Sequence, residues 1–541
     1  MAKKFFPLLQ IFFLSTVVMC WQLVFKFVEE ADTYFVMNLG RYILENGFPH
    51  VDPFTVHENL RLVAQQWLSG IVFWEVYKNF GVEGLLLTDC VVGAAAVLIH
   101  WRLCPFVSGG NKILSFAMSF VLGILIAPMI VPRPHILSAV LLLIEVFFLE
   151  KFTRTEDAKF LIPLPLVSLA LVNFHAAVWL MSLVLCLPFL FVKNLRHVKF
   201  LLAAMLGIFL CGLINPYGVE AMTYVFRSYG VEIISENIPE MFTPSAHGFQ
   251  GKFFFLVEAL LIFSLAKFKA PWRYIFLSGG LTFMAIMHGR NLILFYLIAT
   301  LPIAFAWKNF SVEKFKSMRV PMTIFFFLVL FVNTGIITIV LKDYLQEISL
   351  PLEILFFATT LFALYTSLVL KVDGRIIHPA ILPRKNLSLL ATGFIFYVIF
   401  FVTISDIQKE PPHPYTDAIK FLLRSERPEN ILLYAPQGAG GLAGSFGIKY
   451  YIDSRSEVFI DANNGRKNIF EEYVDFTSGK IYYKDFFKRY NFTHAILTSN
   501  ESFLFNQLSD DKNFRVIYES ERVEKYKVVR CKIFVPPKNG D

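Results

Sequence analysis

Apolar runs long enough to cross a bilayer, about 20 residues each, recur from Phe5 to Phe401 with short polar breaks between them. In lipid every backbone N–H and C=O must be paired within the protein. Only helices and closed barrels achieve that, and runs of this length suit helices rather than the 9–11-residue strands of a barrel, roughly half as long. The expected fold class is therefore an α-helical polytopic membrane protein.

The composition agrees, with 56% apolar and 17% charged residues in 541, where soluble domains carry roughly 25% charged residues. Spans are expected near 5–28, 84–104, 113–131, 136–150, 159–173, 176–192, 198–213, 251–267, 273–288, 291–307, 320–340, 354–370 and 387–403, about 13 transmembrane helices. Several are short for a bilayer, as helices that break or tilt around a cavity are. The start "MAKKFFPLLQ" is basic and then apolar like a signal peptide, but its core is too long and no small-x-small cleavage site follows, which predicts a retained first helix.

The loops sort into two classes. "KNLRHVK", "KFKAPWR", "KNFSVEKFKSMR" and "KVDGRIIHPAILPRK" are rich in Lys and Arg and so are expected in the cytoplasm. "EEADTYF", "VPRPH", "VNFHAA", "INPYGVE" and "MHGRN" then face outward. Thirteen spans with the N-terminus inside put the tail outside. The net charge of +8 sits in those short basic loops, where it sets orientation; no nucleic acid partner is expected, and membrane lipids are. Of six cysteines only Cys531 lies in the tail, so the tail has no internal disulfide.

The chain divides into a transmembrane domain, 1–403, and a polar domain, 404–541. In the latter, "ILLYAP", "KYYID", "THAILTS" and "KVVRCKIFV" read as strands, and "TDAIKFLLRS" and "YYKDFFKRY" as helices, which predicts a small α/β domain. "APQGAGGLAGSFG" after the first strand invites a nucleotide-loop reading, but its fingerprint is imperfect and nucleotides are scarce outside the cytoplasm. A flexible loop against the membrane domain is the expectation. "YIDSRSEVFID" adds Asp453, Arg455, Glu457 and Asp461, either a structural ion-pair cluster or an acceptor-binding rim.

The outward loops carry an unusual inventory. The first, about Glu29 to Glu83, holds Glu30, Asp32, Asp52, Gln65, Gln66 and Trp67; the others hold Arg133 and His135, Asn173 and His175, Asn215 and Tyr217, then His288, Arg290 and Asn291. Ionisable groups at membrane depth are costly and usually face an interior cavity. Carboxylates, two arginines and three histidines on one side predict a site for an anionic ligand. The bland alternatives are a solvated helix end for Asp32, a turn residue for Asp52 before Pro53, and headgroup contacts for the arginines. The histidines show no metal-ligand spacing on one helix, so the metal is unknown.

"ADTYFVMNLGRYILENGFPHVDPFT" followed by "QQWLSGIVFWEVYKNFGVEGL" resembles the first external loop of bacterial GT-C membrane glycosyltransferases. The order "RPH", "NFH", "NPYG", "HGRN" and then "GIKYYIDSRSEVF" resembles one uncharacterised branch of that superfamily. The resemblance implies a GT-C-like membrane domain with an extracytoplasmic α/β domain in a bacterial plasma membrane. It also implies transfer of a sugar from a polyprenyl-phosphate carrier to a glycan, lipid or protein acceptor. Asp32 stands where such proteins place an acid near the acceptor hydroxyl, with Glu30 and Asp52 as second-acid candidates. Many relatives have His-Glu-Trp where this chain has Gln65-Gln66-Trp67, so one acid is missing, and a divalent cation stays possible.

Glycosyl transfer passes through an oxocarbenium-like state, and cations at the leaving phosphate stabilise that state. Arg133 and Arg290, with His135 and His288 as donors, are the phosphate-binding candidates. Asn173, His175, Trp67, Gln66, Asn215 and Tyr217 are the substrate-binding candidates. Two other classes stay open: a transporter or flippase of lipid-linked sugars, and an inactive GT-C-like assembly partner, for which the missing acid beside Trp67 argues.

Overall fold

The computed structural model describes residues 31–192, 194–228, 230–245, 249–309, 414–465, 467–524 and 527–537, with a few positions of the first apolar run. Glu30, most of the span expected at 5–28, the spans expected at 320–340, 354–370 and 387–403, and the 403/404 boundary lie outside the described residues. Residues 10–308, 411–524 and 528–541 form one compact unit.

The expected spans between 84 and 307 fall on helical segments, most with modest changes at their ends, while 176–192 and 291–307 are each broken into short helical pieces. They are α2 (Trp67–Val107), α3 (Lys112–Ile126), α4 (Pro134–Thr155), α5 (Pro163–Phe174), α6 (Leu180–Cys186), α7 (Leu195–Gly212), α10 (Phe249–Lys267), α11 (Trp272–Met287) and α12 (Leu301–Ala306). A π turn over Phe295–Ala299 leads into α12. Among the described residues, Trp67–Val107, Leu195–Gly212 and Gly289–Ala306 are long and apolar enough to cross a membrane by length and composition. The largest departure is α2, which starts well before position 84 because it continues through a break at Gly81 (φ +65°), a conformation that glycine adopts without penalty.

Two faces of these helices explain their composition. One packs inward: Leu142, Leu143, Val146, Phe295 and Leu297 are fully buried together. The other leaves Val91, Leu166, Leu206, Leu256 and Phe283 each more than half exposed. Exposed apolar surface on that scale marks an interaction surface, with lipid, ligand or protein as its partner.

The first external loop opens with α1 (Ala31–Asn46), which packs along α2. Gly40 and Gly70 set that approach: a Cβ on Gly40 would stand 2.0 Å from the carbonyl oxygen of Gly70. Helices α8 (Val219–Ser228) and α9 (Glu232–Asn237) lie in the loop before α10.

The α/β region contains α13 (Pro414–Leu422), β1 (Leu432–Tyr434), α14 (Gln437–Ser445), β2 (Lys449–Tyr450), α15 (Ile469–Thr477), α16 (Tyr483–Tyr490), β3 (His494–Thr498), α17 (Ser502–Asp510), β4 (Arg515–Glu524) and β5 (Lys527–Val535). The sheet order is β2-β1-β3-β5-β4, with β1 parallel to both β2 and β3 and β5 antiparallel to β3. The glycine-rich segment is not a loop. It is α14, the crossover between parallel β1 and β2, and it packs on α1. Its glycines serve contact rather than phosphate binding: a Cβ on Gly440 would stand 1.9 Å from the Ile452 carbonyl oxygen, and one on Gly441 would stand 3.2 Å from that of Ala31.

Candidate active site

Helix α1 delivers Asp32 in its first turn, and the turn before α4 delivers Arg133. Arg133 Nη1 lies 3.1 Å from Asp32 Oδ2 and 2.7 Å from Glu240 Oε2. One residue along, Thr33 Oγ1 donates to the Pro132 carbonyl at 2.7 Å. The two segments are therefore fixed at adjacent positions. All three ionic side chains stay partly exposed, as a site open to a ligand requires.

Glu240 was not singled out by the sequence. It stands on a short turn, Pro239–Met241, strapped to the "HGRN" turn: His288 Nδ1 donates to the Met241 carbonyl at 3.0 Å, and Gly289 N–H to that of Phe242 at 3.0 Å. This strap brings Arg290 into electrostatic reach of Glu240, His175 and Glu457. Burial pushes the Glu240 carboxyl up, but the charge and hydrogen bond of Arg133 outweigh it and hold the carboxyl below its ordinary value. Glu457, half-buried, shows the opposite balance: burial raises its carboxyl despite Arg290 and Arg455.

The histidines line the same region. His135 Nε2 donates to the Met129 carbonyl at 2.7 Å, and His175 Nδ1 lies 2.9 Å from Ser138 Oγ on α4. The Gln65 backbone carbonyl accepts from Ala176 N–H at 2.9 Å, next to His175. The Gln65 carboxamide is buried with neither its oxygen nor its nitrogen hydrogen-bonded, and the Gln66 side-chain oxygen is likewise unpaired.

A second group of candidates gathers elsewhere. Trp67 Nε1 donates to Asn173 Oδ1 at 3.1 Å, and Asn173 Nδ2 donates to the Leu169 and Ile214 carbonyls. Asn215 Nδ2 donates to the Gly212 and Gly218 carbonyls, while the Tyr217 hydroxyl donates to the Pro49 carbonyl at 2.8 Å. Trp67, Asn173 and Asn215 line an apolar groove of about 670 Å³ with Leu166, Leu169 and Leu213.

Asp52 belongs to neither group. Its Oδ2 caps Thr55, and its Oδ1 lies 2.7 Å from Arg455 Nη1 in a buried pair. Around it the first external loop is stitched to the α/β region. Thr55 bridges Tyr450 in parallel, His57 Nε2 donates to the Tyr451 carbonyl, Asn38 Nδ2 to that of Gly441, and Arg41 to those of Gly444 and Ser445. From Asp32 to Asp52 the charges alternate: Asp32, Arg133, Glu240, Arg290, Glu457, Arg455, Asp52. No group of three His, Cys, Asp or Glu side chains arranged to hold a metal ion occurs among the described residues.

No family model and no curated protein sequence matches the chain. Solved structures do. The archaeal oligosaccharyltransferase AglB from Archaeoglobus fulgidus, in complex with an inhibitory peptide and a dolichol-phosphate, aligns with a TM-score of 0.52 at 11% identity over 91% of this chain and 69% of its own. ArnT from Cupriavidus metallidurans, bound to undecaprenyl phosphate, aligns with a TM-score of 0.51 at 12% identity over 96% of this chain and 97% of its own. At such identities the likeness concerns the backbone architecture. What the chain shares with these two proteins is their backbone fold.

Proposed function

We propose that the protein is a membrane glycosyltransferase of a bacterial plasma membrane. It moves a sugar from a polyprenyl-phosphate carrier to an extracytoplasmic glycan, lipid or protein hydroxyl, with inversion. The observation that carries this reading is the Asp32–Arg133 pair with Arg290 nearby, set within a fold shared with proteins bound to dolichol-phosphate and undecaprenyl phosphate. About 13 spans with the N-terminus inside place the α/β domain, from about residue 404, outside.

In this mechanism the acceptor hydroxyl attacks the anomeric carbon as the bond to the carrier phosphate breaks. Asp32 takes the hydroxyl proton. The bond electrons leave on the phosphate, whose growing negative charge is met by Arg290 and by Arg133, cations fixed before the reaction begins. A phosphate leaves without protonation, so one base suffices. His135, His175 and His288 orient the turns that carry these cations. The carrier's isoprenoid tail lies along the groove beside Trp67 and Asn173.

The test is incubation of the purified protein with a panel of prenyl-phosphate sugars and hydroxyl acceptors. Donor consumption that Asp32→Asn abolishes, in a protein that stays folded, supports the reading. Transport of the lipid-linked sugar without consumption would establish a flippase instead.

A further inference from the structure

We propose that Arg455 is a positioning residue for Asp32; the inference rests on the transferase reading above. Arg455 is 5% exposed and is shared between two parts of the chain. Its Nη1 lies 2.7 Å from Asp52 Oδ1, in the middle of the external loop that carries Asp32. Its Nε donates to both oxygens of Asp453, at 3.0 and 2.9 Å, and its Nη2 lies 2.7 Å from Asp453 Oδ2. Asp453 in turn accepts from the Tyr450 hydroxyl at 2.6 Å, and the Tyr450 backbone bridges Thr55.

The guanidinium also stands over the Phe35 ring at 5.7 Å and the Phe54 ring at 5.5 Å. Phe35 is one helical turn beyond Asp32 on α1. A single buried side chain thus grips the first external loop at two separate points, Phe35 near Asp32 and Asp52 with Phe54 further on. Two residues onward, Glu457 lies in electrostatic reach of Arg290. The segment Asp453–Glu457 therefore faces both the loop that carries the base and the turn that carries the phosphate cation.

Stability alone does not account for this arrangement. A buried charge triad is often no better for stability than apolar side chains of the same volume. What it does supply is a fixed geometry, because the planar fork of arginine holds two carboxylates in defined directions and an ammonium does not. A misplacement of about 1 Å at a reacting group can cost about 100-fold in rate.

The experiment uses the full-length protein with a prenyl-phosphate sugar that it consumes. Arg455→Lys keeps the charge and loses the fork. Its kcat is expected to fall by about 10–100-fold with the donor KM held within about twofold. The neutral triple variant D52N/D453N/R455M, whose amide oxygens still accept from Thr55 and from the Tyr450 hydroxyl, separates folding from placement: it is expected to keep a single cooperative melting transition and be as slow as Arg455→Lys. Wild-type kcat in either folded variant overturns the proposal, as does a loss confined to KM. Asp32→Asn in the same assay tells the two ideas apart. If it is inert while Arg455→Lys turns over normally, only the positioning role falls; if Asp32→Asn still turns over, the transferase reading falls and takes this inference with it.

Discussion

Asp32 and Arg133 face each other across 3.1 Å, and the neighbouring pair, Thr33 and Pro132, is hydrogen-bonded at 2.7 Å. The carboxylate and the guanidinium are therefore held by the neighbouring Thr33 hydroxyl bond as well as by charge. Arg133 has a second duty, because the same nitrogen carries Glu240 at 2.7 Å.

Removing that nitrogen should set two carboxylates against each other. Like charges about 4 Å apart repel by about 1–4 kcal/mol between aqueous and protein-surface dielectrics. Arg133→Ala is expected to lower the Tm by several degrees, and Glu240→Gln added to it should restore most of the loss. Transfer activity should stay low in both. Thermal unfolding in detergent across the double-mutant cycle measures this; a Glu240→Gln change that fails to rescue would mean the two carboxylates do not interact.

Glu240 and Glu457 should respond to pH with opposite signs. An unfolded glutamate titrates near pH 4.3. The Glu240 value is lower in the folded protein, so its stabilisation is complete above about pH 4.3 and is lost as pH falls through the folded value. The Glu457 value is higher when folded, so its ionisation penalises folding increasingly as pH rises from about 4.3 through the folded value. Glu240→Gln should therefore lower the Tm at neutral pH, and Glu457→Gln should raise it. Both differences should vanish in acid. Melting curves of the two variants between acid and neutral pH decide the matter.

The Asp52–Arg455 pair should be costly to break from one side. Asp52→Ala leaves a buried guanidinium short of one partner, a change worth about 3–5 kcal/mol. Asp461→Ala, at an exposed position of the same motif region, should stay within about 0.5 kcal/mol of wild type. Limited proteolysis should cut the α/β region of Asp52→Ala at protease concentrations that leave Asp461→Ala intact.

The groove beside Trp67 gives a prediction about the carrier. Ala170 lines it, between Leu169 and Asn173. Ala170→Trp should fill part of the groove and raise the KM for a long-chain prenyl-phosphate sugar several-fold. A short-chain analogue, which does not reach that depth, should be unaffected. Equal effects on both donors would place the tail elsewhere.

The helices expected at 273–288 and 251–267 were legible because a bilayer demands long unbroken apolar runs, and they emerge as Trp272–Met287 and Phe249–Lys267. Strand β5 was equally plain, since Val528, Val529, Ile533 and Val535 make the segment rich in β-branched residues. The glycine-rich segment misled because its glycines read locally as turn formers, while their reason is tertiary: Gly440 and Gly441 make room for Ile452 and Ala31. Strand β4, "RVIYESERVE", was missed because charges interrupt its apolar pattern. Within the candidate site, Asp32, Arg133 and Arg290 were visible as charges at membrane depth. Glu240 was not, since an acid in a polar loop carries no periodic signal and acquires its place only through the Met241 and Phe242 backbone contacts to the "HGRN" turn. Asp52 read as a turn residue, which it is, but its second oxygen answers to Arg455.

That last partnership has a bearing on when the protein can work. Asp52 and Arg455 stand 403 positions apart in the chain, so the ribosome finishes the reactive loop long before it makes the residue that grips it. A growing chain carries Asp32, Arg133 and Arg290 well before it contains the residue that clasps Asp52. The buried pair, and any geometry that depends on it, can form only once nearly the whole chain up to Arg455 has been made.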